Sequence, residues 1–292
     1  MRELSLVVDA KVALGEGPSW DSARQCVYWV DILGKNLHIY DLKTQTDRAV
    51  SVPEYITSVV PSTPGEVIVT LQHGFYRLDI QTGRLEVIRT VEEDMEGNRF
   101  NDGKCDPAGR LWAGTMAIDE TRFQGNLYRM GRDKSVVKMM SGVSISNGLA
   151  WSPDATVMYY VDTPTREVVA YDYQLDSGSL ENPRVVVRIP EDAGFPDGMT
   201  IDAEGMLWVA HWGGGRISRW DPVEGKLLEE VPIPASRVTS CVFAGENLNE
   251  LYITTARNGL DEETLRQEPD AGGLFRLITD VKGSPTVRFE LG

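Results

Sequence analysis

Short runs of alternating or β-branched apolar residues, punctuated by Gly, Asp and Pro, recur along this chain from end to end. The pattern is fullest around residue 200. Gly198 to Ile201 is apolar, Asp202-Ala203-Glu204-Gly205 reads as a tight turn, and Leu207-Trp208-Val209-Ala210 runs back. Beyond Gly213-Gly214-Gly215 come Ile217-Ser218-Arg219-Trp220-Asp221 and, after a turn at Gly225, Leu227 to Val231. Runs of this length and composition are strands, and four of them in succession make a meander. Counterparts of the third run stand at Leu37–Asp41, Phe75–Asp79, Val168–Asp172 and Leu274–Leu277. Helical patterning is confined to Asp261–Gln267.

The meander repeats. Hairpin turns begin at Asp21, Ser62, Asp106, Ser152, Asp202 and Gly245, at steps of 41, 44, 46, 50 and 43 residues. A period of roughly 40–50 residues with strands in every unit is that of a β-propeller. The expected fold is therefore all-β, a six-bladed β-propeller with a central channel site, formed by residues 1–292 as one domain, because blades bury their faces only against one another. Leu4–Val8 is expected to close the ring as the outer strand of blade six, with Pro285–Leu291 competing for that place.

Five residues ahead of each turn stands a polar side chain: Glu16, Thr57, Asn101, Asn147, Asp197 and Ser240. The first strand of a blade lines the channel, so these six residues converge on one axis. The loops joining second and third strands ring the same mouth. The long ones, 116–125 and 257–272, are expected above it, with His211-Trp212 at its edge.

Composition narrows the chemistry. A net charge of −15, from 29 basic and 44 acidic residues, disfavours nucleic acid and anionic membranes as partners. Three widely spaced cysteines and a short N-terminal apolar run point to a reduced, cytoplasmic protein. No GxSxG, HExxH, EF-hand or nucleotide-binding pattern is present. What remains is the axis. Glu16, Asn147 and Asp197 offer oxygen donors, and two close carboxylates repel unless a cation or proton lies between them. A divalent ion resolves that repulsion; hydrogen bonds to strand ends are the alternative.

Several segments resemble the SMP-30/gluconolactonase/LRE (regucalcin-like) family. They are Leu14-Gly15-Glu16-Gly17-Pro18, Asn98 to Lys104 continuing through Asp106–Arg110 to Ala113–Met116, Ser146-Asn147-Gly148-Leu149, Pro196-Asp197-Gly198-Met199, and Thr254-Thr255-Ala256-Arg257. The resemblance spans essentially the whole chain. It implies a six-bladed propeller with one catalytic divalent ion (calcium, zinc, manganese or magnesium) held by Glu16, Asn147 and Asp197. It also implies that Arg99 and Asn101 hold substrate, and that Asp119 on the loop over the mouth contacts sugar hydroxyls. The function it implies is metal-dependent hydrolysis of sugar lactones, with Asp197 as general base, a small sugar lactone as ligand and no obligate protein partner. A calcium-binding regulatory protein without turnover is the alternative. A WD40-type scaffold would carry repeated GH…WD signatures, which are absent.

Overall fold

The computed structural model describes residues 3–290. Six four-stranded antiparallel sheets are arranged as blades. Their innermost strands are Gly15–Asp21, Ser58–Pro61, Asn98–Cys105, Ser146–Trp151, Phe195–Ile201 and Val238–Ala244, in blades one to six. These strands are buried almost throughout. The outermost ones, such as Lys226–Pro232 and Val136–Val143, face solvent and carry mixed polar sequence. Apolar clusters fill the spaces between blades, as in Met199, Val209 and Val161 between blades four and five.

Leu4–Val8 closes the ring. It pairs antiparallel with Leu274–Ile278, in the register Leu4↔Leu277 and Leu6↔Phe275, as the outer strand of blade six. The competing segment forms no strand within the described residues. Instead residues 281–290 run beneath the channel as a strap. Gly283 bridges Asp202, Ser284 N donates to Ile201 O (3.2 Å), and Phe289 is fully buried beside Phe100 and Cys105. Leu291 lies outside the described residues.

In blades one, three and five the hairpin turn at the bottom of the inner strand is tied down by a buried carboxylate, Asp21, Asp106 and Asp202. Asp202 accepts from Trp208 Nε1 (2.9 Å) and Arg219 Nε (2.8 Å), and Asp106 from Trp112 Nε1 (2.8 Å) and Arg110 Nε (2.7 Å). In blade one the guanidinium comes partly from the strap: Arg288 donates to Asp21 Oδ1 (2.9 Å). The short helix Glu262–Gln267 lies in the last long loop, with Asp261 capping it by accepting from Thr264 N (2.8 Å). No helix among the described residues is long and apolar enough to cross a membrane.

Candidate metal centre

The backbone explains why certain residues face the axis. In five of the six inner strands the register slips at or beside the recurring polar position, between Glu16 and Ser19, Phe100 and Gly103, Asn147 and Leu149, Pro196 and Met199, and Val238 and Ser240. Such bulges re-aim side chains and cluster beside functional sites. Blade two has none. There Thr57 Oγ1 pairs with Thr70 Oγ1 (2.7 Å) across its own blade.

A glycine follows the polar residue in blades one, four and five, and the packing demands it. A Cβ on Gly148 would stand 2.8 Å from Asp197 O, and one on Gly198 would stand 2.9 Å from Ser240 Cα. Neighbouring inner strands approach this closely only because nothing is there.

Glu16 and Asp197 are buried and lie within hydrogen-bonding reach of each other. Glu16 Oε2 accepts from Gly17 N (2.9 Å), while Asp197 Oδ1 is buried with no hydrogen-bond partner. Burial, reinforced by the neighbouring Asp102, pushes Glu16 up to about 8. Burial and then the Glu16 and Asp102 charges drive Asp197 well above the usual carboxylate range. With no cation beside them, both carboxyls are thus shifted towards the protonated form, and a cation between them would reverse that shift.

Asn147 completes the group, and its orientation is fixed from behind. Thr163 Oγ1 donates to Pro196 O (2.9 Å), so its lone pair accepts from Asn147 Nδ2 (2.8 Å). The amide oxygen is thereby turned away from Thr163, where it accepts from Asn101 Nδ2 (3.0 Å). Asn101 also donates to Ser146 O (2.8 Å) and accepts from Arg99 Nη1 (2.6 Å), which spends a second bond on Phe100 O (2.9 Å). Arg99 is buried, and desolvation lowers it to about 10 against the pull of Glu16, Glu120, Tyr55 and Asp197.

Among the described residues no three His, Cys, Asp or Glu side chains gather as a metal cluster. Glu16 and Asp197 lie close together, and Asn147 occupies the equivalent position of blade four; carboxyl and amide oxygens are hard donors.

Below them lies a cavity of about 400 Å³, lined by Gly17, Asp102, Lys104, Thr200 and Ser240 and floored by strap residues such as Pro285 and Val287. Lys104 Nζ crosses from blade three to donate to Met199 O of blade five (2.6 Å). The space is mostly apolar and sits under the carboxyls, away from the mouth by which a substrate would enter.

The other expected residues are placed differently. His211 is fully buried within blade five, its Nδ1 at 2.8 Å from Ala193 O and its Nε2 at 2.5 Å from Ser218 Oγ, and burial lowers it to about 4. Trp212 remains at the rim, under the guanidinium of Arg237, 4.7 Å from its ring centroid. Asp119 stands on the exposed loop of blade three, where its Oδ1 accepts from Thr121 N (3.0 Å). Its neighbour Glu120 is the one whose charge reaches Arg99, and it acts on Arg237 too. Those arginines belong to opposite blades, three and six, and Glu120 is exposed on the blade-three loop between Met116 and Gly125. Glu120, Thr163 and Arg237 lie outside the repeated position, and no sequence spacing marks them.

Comparison with known proteins follows the same lines. Residues 14–257 match the model of the SMP-30/gluconolactonase/LRE-like region. The Bacillus subtilis protein named "Putative sugar lactone lactonase YvrE" is 43% identical over 97% of each chain. A solved luciferin-regenerating enzyme superposes with a TM-score of 0.94 at 37% identity, covering 100% of both chains. The calcium-binding protein regucalcin of Agrobacterium tumefaciens superposes with a TM-score of 0.93 at 30% identity, over 99% of this chain and 97% of that one.

Proposed function

Because the chain belongs to the SMP-30/gluconolactonase/LRE-like family, we propose that it is a divalent-metal-dependent lactonase that opens sugar lactones, such as gluconolactone, to the aldonic acid. The observation that supports this reading is the closeness of the buried Glu16 and Asp197 carboxyls, with Asp197 Oδ1 unpartnered and Asn147 buried at the equivalent position of blade four. A buried acceptor without a donor is costly, and two facing carboxyls need positive charge between them. Glu16, Asn147 and Asp197 would hold the ion, and the all-oxygen donor set suits calcium, magnesium or manganese, with zinc tolerated.

When bound, the ion supplies Lewis-acid polarisation of the lactone carbonyl and acidifies an associated water. The chain's own residues do the rest. Asp197 accepts a proton from water as the water oxygen bonds to the carbonyl carbon. The ring C–O bond then breaks, and the proton passes to the departing ring oxygen, giving the hydroxy acid. Arg99, anchored on Asn101 and Phe100 O, turns its remaining donors to sugar hydroxyls. Asn101 orients Arg99 and the Asn147 amide. Asp119 joins them once the loop frees it from Thr121.

The test is hydrolysis of a panel of pentono- and hexonolactones after chelation and add-back of each ion. Activity should vanish on chelation and return with more than one of calcium, manganese, magnesium and zinc. Calcium bound tightly with no lactone turned over would overturn the enzyme reading in favour of a calcium-binding regulatory role, in keeping with the description of the Agrobacterium relative.

A further inference from the structure

The rim of blade five carries a row of stacked groups that the catalytic reading leaves unused. Phe195 and Trp212 are cross-strand partners at the top of that blade. Arg166 lies over Phe195, 3.8 Å from the ring centroid, and Arg237 lies over Trp212 at 4.7 Å. The row sits at the mouth, because Phe195 precedes Asp197 by two residues and Arg237 precedes Ser240 by three on strands that descend into the channel.

The two guanidiniums differ in what they have left to give. Arg166 is committed to backbone, donating to Gly194 O (2.6 Å) and Pro190 O (3.3 Å). Arg237 donates to Gly259 O (3.1 Å) and has no carboxylate at ion-pair distance among the described residues. The acidic groups facing it are Glu120 and Glu268. Glu268 is already bound by Ser236 N (2.7 Å) and Oγ (2.9 Å), and Glu120 stands exposed on the blade-three loop. A half-buried guanidinium held over an indole, with one nitrogen on Gly259 O, keeps further donors that a carboxylate can accept from.

We propose that Arg237, stacked on Trp212, is a specificity-determining residue that binds an ionised carboxylate at the far end of the substrate, so that the preferred lactones are those of sugar diacids. The proposal rests on the lactonase reading and deepens it. The reacting ester is the one opened by water as above, and the second carboxylate takes no part in the chemistry.

The decisive pair is glucono-1,4-lactone and glucaro-1,4-lactone, which share ring size and differ at one end, hydroxymethyl against carboxylate. In the metal-loaded protein, kcat/KM for the glucaro-lactone should be about tenfold or more above that for the glucono-lactone, an advantage that shrinks with added salt. Arg237→Gln should lower the ratio of the two by about tenfold, through KM for the anionic lactone, and Arg237→Lys should restore part of it. Should the variants fail to fold, calorimetric titration of wild-type protein with glucarate and gluconate reads the same preference. A ratio at or below one in the wild type, a ratio unmoved by Arg237→Gln, or equal affinity for the two acids would overturn the proposal while the lactonase reading stands. Hydrolysis of neither lactone under any metal would overturn the lactonase reading, and this proposal with it.

Discussion

Asn147 owes its direction to a hydroxyl on the following hairpin. Thr163 can accept from the amide nitrogen only because it spends its own proton on Pro196 O. Thr163→Val should therefore weaken metal affinity by about tenfold, as losses of supporting contacts do, while Thr163→Ser should preserve it; calorimetric titration with calcium and manganese reads both. Asp197→Asn should cost ~10²-fold or more in turnover, since it removes the proposed base and a negative ligand. Thr57→Ala should cost under ~10-fold, because Thr57 is occupied with Thr70. Equal losses in the two folded, metal-loaded variants would mean that the chemistry has been misplaced. Glu16 gives a pH signature. Its folded pKa of about 8 exceeds the ordinary value of 4.5, so without metal its contribution to stability is complete below pH 4.5 and lost as pH rises towards 8. The melting temperature of the metal-free protein should fall across that window by more than that of Glu16→Gln. Identical slopes would show that Glu16 titrates as an ordinary carboxylate.

Strands and blades were legible because alternation and turn residues repeat with one period. That same period exposed Glu16, Asn147 and Asp197. It could not reveal the bulges, which arise from how adjacent blades crowd the axis rather than from any run of residues. It also misled at His211, which follows the apolar Leu207–Ala210 run towards the mouth, yet turns into the blade to pair with Ser218. Thr163, Glu120 and Arg237 were invisible for a related reason: they sit on connections whose lengths vary from blade to blade. The crowding itself is testable. Gly198→Ala would drive a methyl against Ser240 Cα and should cost about 1–3 kcal/mol in urea unfolding, the usual range for overpacking. Gly97→Ala, where a Cβ meets nothing within 4 Å, should change stability by under ~0.5 kcal/mol. Comparable effects from both would show that inner-strand contact does not require the glycine.

At the scale of the molecule, the proposed ion should be separable from the fold. Six interblade clusters supply the apolar core, whereas the candidate ligands serve one end of one channel. Chelation should leave the far-ultraviolet circular dichroism unchanged while abolishing turnover, unlike small domains that fold only around their metal. Loss of both together would make the ion structural. Ring closure carries a different consequence. Among the described residues, Leu4–Val8 is the most N-terminal strand and its partner Leu274–Ile278 the most C-terminal. During translation the growing protein is therefore an open arc, with the lone first strand waiting and a succession of raw sheet edges behind it. Completion is a long-range event that happens once, after the final blade has left the ribosome, and only then can the strap pass under the channel to bring Arg288 to Asp21. Formation of the ring should therefore be slow, because the entropy of bringing strands so distant in sequence together is met before their pairing rewards it, and stopped-flow refolding reads that rate.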